Sequence, residues 1–161
     1  MSMPILRPSE ILYLQNSIVT SFRNGDDLLD TFSDLLNGYL TPEDIRVIAV
    51  FQWNGKWHVY NGHRRLFLYK ALEECGVLDT IRVWEVRGSN IKWNTVHRQY
   101  TSKNGGHSIR VRGDATFEDR LEDIVSEWQN NTVTCQCPCH GGLVYDSDSD
   151  SEHYYDYDLY Y

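Results

Sequence analysis

The sequence predicts a small α+β domain with a mixed sheet, and three observations carry that expectation. Residues 45–53 and 56–60 are rich in β-branched and aromatic side chains, and Asn54-Gly55 between them is a strong two-residue hairpin signal. Apolar residues recur at helical spacing on both sides of this hairpin, at Leu28, Leu29, Phe32, Leu35 and Leu36 and again from Leu66 to Leu72. A further β-rich run, 81–86, follows the second helix. The resulting order is strand, helix, hairpin, helix, strand.

Each element has a local reason. Residues 5–14 enter as a short strand that meets Pro8 and continues as a turn or a short helical piece. The segment 17–25 is polar and ends on the turn pair Asn24-Gly25. Asp26 is placed to cap a helix running to about Asn37, and Gly38 sits where a helix C-terminus needs a left-handed residue. Thr41-Pro42 opens another turn. After the hairpin the chain turns on Gly62 into a helix over 64–75, closed by Gly76. Leu66, Phe67, Tyr69, Ala71 and Leu72 supply its buried side. Residues 91–113 are less regular and read as two short strands around Asn104-Gly105-Gly106, the second being 108–112. A helix is expected over 117–128, with Asp114 or Thr116 near its cap and Asn130-Asn131 as its break.

This gives a domain over 1–113 with a basic extension, a C-terminal helix at 114–130, and a tail at 131–161 that holds cysteines, acids and tyrosines. The low-complexity run 146–152 alternates acids with serine and is expected to be disordered.

Charge is unevenly distributed. The chain of 161 residues has a formal net charge of −8. Residues 1–113 carry 14 Lys and Arg against 11 Asp and Glu, a net of +3, whereas 114–161 carry one Arg and 12 acids, a net of −11. An acidic tail on a mildly basic body acts either as a solvating segment or as a competitor for an anionic ligand, the solvating role being the simpler. No apolar run is long enough to span a bilayer and no charged-then-apolar leader is present, so an intracellular protein without a membrane partner is expected.

The stretch from His58 to Leu72 holds the strongest functional signal: a strand, a glycine turn, then a helix with two arginines at its start. Free N–H groups and the positive end of the helix dipole favour an anion there, and arginine binds phosphate bidentately. The candidate phosphate-binding residues are Asn61, Gly62, His63, Arg64 and Arg65. A plain strand-to-helix turn with surface arginines is the simpler alternative. His63 is a candidate proton donor. Gln15, Asn16 and Ser17, after the first strand, are candidates to frame the ligand, or simple turn caps.

With these residues in place, the chain resembles the superfamily of ParB-like and sulfiredoxin-like domains. The matching positions are Pro8 and Ile11, Val50, Asn54-Gly55-Lys56-Trp57, Val59, Asn61-Gly62-His63-Arg64-Arg65, Ala71-Leu72, Gly76 and the run 81–86. They cover about half of the chain. The resemblance implies a phosphate site at the glycine turn, where ParB proteins use CTP, sulfiredoxins use ATP, and some relatives phosphorylate free serine. It makes Gly62 the close-approach glycine, Arg65 the arginine that closes the loop and Arg64 the additional arginine of the ParB form. CTP or ATP with Mg²⁺ is the implied cofactor. His63 stands where sulfiredoxins carry their catalytic cysteine, which argues against sulfiredoxin chemistry. No helix-turn-helix follows the domain. Glu10 is the nearest candidate for the catalytic carboxylate of the kinase-like relatives.

Other signals point elsewhere. Residues 82–112 hold seven Lys and Arg and only Glu85 as an acid, interleaved with aromatics. Arg82, Lys92, Arg98, Lys103, Arg110 and Arg112 are therefore candidate contacts for a DNA or RNA backbone in a non-enzymatic binding module. A solvated strand face with its aromatics in the core is the simpler explanation, because the charges are spread across an irregular segment. Cys135, Cys137, Cys139 and His140 are metal-capable but too tightly spaced for one segment to wrap a tetrahedral ion easily, so no metal site is expected. Ser147, Ser149 and Ser151 each precede an acid and suit an acid-directed kinase. No carboxylate pair flanks the glycine turn, which argues against a metal-dependent nuclease.

Overall fold

In the computed structural model, which describes residues 2–134, the chain runs β1 (Ile5–Leu6), β2 (Ile11–Leu12), β3 (Ser17–Val19), α1 (Leu28–Leu36), β4 (Ala49–Trp53), β5 (Lys56–Asn61), α2 (His63–Glu74), β6 (Ile81–Arg82), β7 (Trp84–Glu85), α3 (Trp93–Gln99), β8 (Arg110–Arg112) and α4 (Phe117–Thr134). This is a small α+β fold with four helices and mixed sheets. No helix among the described residues is long and apolar enough to cross a membrane.

The hairpin organises the main sheet. Asn54 and Gly55 both have positive φ, 52° and 74°, which matches the right-handed twist of the strands they join. The four-stranded sheet has the order β2-β5-β4-β7. β4 and β5 are antiparallel, while β2 lies parallel to β5 and β7 parallel to β4. Two smaller pairs flank it: β1 with β6, antiparallel, and β3 with β8, parallel.

The helices pack over this frame by their apolar faces. Asp27, one position later than expected, caps α1 by accepting from the Leu29 N–H at 2.8 Å. Both α1 and α2 end in the same motif, with Gly38 and Gly76 left-handed and the next residue bonding back to Asp34 and Leu72 respectively. Leu28, Leu29, Phe32, Leu66, Leu68, Tyr69, Leu72, Val50 and Val59 share one core with Phe117 of α4. A second, smaller core of Leu14, Phe51 and Val96 lies under α3. Leu68 is fully buried although the periodicity reading passed over it, while Phe67 and Ala71 are only partly buried.

Several expected elements change. The strand of 45–53 begins only at Ala49, because Pro42–Asp44 forms a short 3₁₀ turn and Ile45 is buried as a loop residue. The strand of 81–86 is split at Val83 between two sheets. The polar segment after Asn16 contains a strand, β3, whose partner β8 lies 93 residues further along. The first half of 91–113 is the helix α3, not a strand. α4 continues through Asn130 and Asn131 to Thr134, since neither residue forbids helix geometry in an otherwise helix-forming run.

Candidate functional site

Gly62 has φ 103° and ψ 36°, and caps α2 without any side-chain hydrogen bond. The helix therefore starts without a side-chain cap for its first N–H groups. In front of them lies a cavity of about 730 Å³. Its volume falls in the range usual for small-molecule sites.

Four parts of the chain build the walls. The segment after β2, with β3, contributes Gln15, Ser17, Ile18, Val19, Phe22 and Arg23. The end of β5 and the start of α2 supply Tyr60, Asn61, Gly62, His63, Arg64 and Arg65. Val86, Asn90 and one face of α3, with Lys92, Thr95, Arg98 and Gln99, close a second side, and Arg112 of β8 completes it. Backbone contacts hold these parts in place. The Lys92 N–H donates to the Tyr60 hydroxyl at 3.3 Å, and Thr101 and Ser102 N–H groups both donate to the Leu14 carbonyl.

The cavity is electrostatically one-sided. Arg23, Arg64, Arg65, Lys92, Arg98 and Arg112 line it, and no Asp or Glu does among the described residues. Burial holds the Arg64 guanidinium below its ordinary pKa, and the neighbouring Arg23 pushes in the same direction. Two like charges thus face one space with no carboxylate there to balance them.

The expected site residues do not all play the expected parts. Gln15, Ser17 and the run Asn61 to Arg65 do meet in the cavity, as do Lys92, Arg98 and Arg112. Arg82, Lys103 and Arg110 are exposed elsewhere, so the cations of 82–112 do not form one continuous stripe. Glu10 lies outside the cavity lining: its carboxylate accepts from the Arg7 N–H at 2.9 Å and ties down the 3₁₀ turn of Pro8–Glu10. Cys135, Cys137, Cys139, His140, Ser147, Ser149 and Ser151 lie outside the described residues.

Arg65 differs most from expectation. Its side chain is only 2 % exposed, and Nη1 donates to the carbonyls of Arg46 and Val47, the latter at 3.0 Å. Burial lowers its pKa to about 10, which leaves it charged at neutral pH. It anchors the loop before β4 beneath the turn. Gly62 is needed for the same packing, because a Cβ there would lie 2.7 Å from Ile48 Cγ2 and 3.0 Å from Arg65 Nη2.

His63 is also built in. It is 8 % exposed, stacks on Tyr13 at a centroid distance of 6.4 Å, and its Nε2 accepts from the Leu14 N–H at 3.3 Å. The proton of the neutral ring is therefore on Nδ1. Burial lowers the pKa to about 4, so the ring is neutral near pH 7 and cannot act as a cationic acid there. A neutral folded form and an ordinary unfolded pKa near 6.5 mean that this group favours the fold above pH 6.5 and loses that contribution as pH falls towards 4. Wild type should lose about 2–3 kcal/mol more than His63→Gln between pH 7 and pH 4.5 in urea unfolding, the glutamine oxygen keeping an acceptor for Leu14. Parallel pH profiles for the two proteins would contradict the buried neutral assignment.

Arg23, Phe22 and Tyr60 were not among the expected site residues, and Lys92 and Arg98 were expected as nucleic-acid contacts, not as part of one face of α3 with Thr95 and Gln99. That face had a signal: Lys92, Thr95, Arg98 and Gln99 recur at spacings of three and four, the period of one helix face. No protein-family model matches the chain, and no curated protein matches it significantly.

Proposed function

We propose that the cavity in front of Gly62 binds a phosphate-bearing small molecule, a nucleotide of the CTP or ATP kind. The observation that supports this reading is the set of cationic side chains around an uncapped helix start, with no acid among the described lining residues. Phosphate would be held by the first N–H groups of α2 and by Arg64, with Arg23, Arg98 and Arg112 neutralising further charge. Phe22 and Tyr60 offer aromatic surface for a base. The resemblance to ParB-like and sulfiredoxin-like domains favours the same ligand class.

The lining does not fit a cation held by the protein itself, since Mg²⁺ sites draw on carboxylates and this cavity presents only amide and hydroxyl oxygens. With a neutral His63 and no carboxylate base, the reading is one of binding rather than of a named reaction.

Calorimetry of the full chain with CTP, ATP, GTP and inorganic tripolyphosphate tests this. Binding by at least one nucleotide is expected, and Arg64→Ala should weaken it about 10- to 100-fold, the usual worth of a charge-assisted phosphate contact. No heat with any of the four would overturn it. Salt-dependent binding of single-stranded or duplex nucleic acid without nucleotide binding would favour the non-enzymatic module that uses the basic segment 82–112 instead.

A further inference from the structure

The described part of the chain gathers positive charge around one cavity, and the remaining part carries the opposite sign. Residues 135–161 contain six acids, Asp146, Asp148, Asp150, Glu152, Asp156 and Asp158, and no Lys or Arg. Four of them, Asp146, Asp148, Asp150 and Glu152, are concentrated within seven residues and alternate with Ser147, Ser149 and Ser151. We propose that this acidic segment is an internal competitor: it enters the basic cavity and lowers the affinity for the phosphate-bearing ligand. The inference rests on the anion-binding reading above and adds its regulation.

Reach allows it. α4 ends at Thr134, and residue 146 follows twelve residues later. Twelve residues span up to about 40 Å when extended, against a radius of gyration of roughly 14 Å for a domain of this size. Charge selects the place. Arg23 and Arg64 repel one another in a cavity that offers no internal acid, so any carboxylate that enters relieves that repulsion. Two exposed cations outside the cavity already have carboxylate partners, Arg87 with Glu85 and Arg120 with Asp114 at 2.8 Å. A tethered segment acts at a high effective concentration, of millimolar order, so even weak carboxylate contacts compete measurably.

The test keeps the full chain. Asp146→Asn, Asp148→Asn, Asp150→Asn and Glu152→Gln are combined in one variant, and CTP, ATP and tripolyphosphate are titrated into it and into wild type. The variant should bind about three- to tenfold more tightly at low salt, with the difference shrinking as salt rises. A synthetic peptide of residues 144–153 should bind the variant, be displaced by tripolyphosphate, and lose affinity when Arg64→Ala is added. Equal nucleotide affinity in the two proteins overturns the competitor while leaving the site reading intact. Peptide binding that depends on Arg64, with no nucleotide binding by either protein, supports occupation of the cavity and overturns the nucleotide reading. Silence from the peptide and every nucleotide overturns both.

Discussion

Gly106→Ala is expected to lower the stability of the fold by about 3 kcal/mol or more, the largest effect expected of a methyl added at any of the described glycines. Gly106 has φ +82°, and a Cβ there would stand 2.3 Å from the Tyr13 carbonyl oxygen, 2.9 Å from the Tyr13 nitrogen and 3.0 Å from Leu12 Cβ. Two of these atoms are backbone and cannot swing aside. The contact is also bonded, because the Tyr13 N–H donates to the Gly106 carbonyl at 2.8 Å. Pushing the loop away would release the neighbouring bonds from Thr101 and Ser102 to Leu14. Gly105→Ala is the control, with φ +70° but no heavy atom closer than 3.6 Å, and should cost only about 1–2 kcal/mol of backbone strain. Thermal and urea unfolding of both variants measure the difference; equal losses would contradict the close approach of this loop to β2.

Arg65→Met is expected to cost about 3 kcal/mol or more of stability, and with it most ligand binding. The guanidinium is buried and bonded to two backbone carbonyls, so its removal leaves the oxygens of Arg46 and Val47 without that donor and opens space beneath Gly62. Arg65→Lys should not restore the loss, because an ammonium lacks the planar fork. Arg64→Ala should behave oppositely, with unfolding changed by less than about 1 kcal/mol and affinity greatly reduced. Measuring both Tm and Kd for the pair separates a structural arginine from a ligand-facing one. A stable Arg65→Met protein that fails only in binding would restore Arg65 to the role the family resemblance implies.

This pair shows what was legible in the sequence. Residues 61–65 were readable as one local cluster because glycine, helix start and arginines are local signals, and all five line the cavity. Which arginine turned inward was not legible. That depends on the loop at 46–48, distant in sequence, whose Arg46 and Val47 carbonyls accept from Arg65 beneath the turn. The hairpin, α1 and α2 were likewise readable, since their turn residues and apolar periods are local. β3 was not: a three-residue strand leaves little period, and its partner is distant in sequence, so β8 was readable within 108–112 but its pairing with β3 was not. α3 was hidden for a different reason. Its aromatic and β-branched residues suggest a strand, and packing of Val96 into the smaller core overrides that preference. Glu10 and His63 were read as chemistry because their types allow it; one holds a turn and the other accepts a buried backbone N–H.

The walls of the cavity come from residues 15–23, 60–65, 86–99 and 112, which together span most of the folded chain. No shorter stretch contains the site. A molecule that fits it must therefore favour the complete native state over every partly unfolded one, including states in which only the α3 layer or the β3–β8 pair has opened. Bound at a hundred times its Kd, it would add about 2.7 kcal/mol to global unfolding. The melting temperature of the intact protein can thus serve as a ligand sensor, with each compound ranked by the shift it produces.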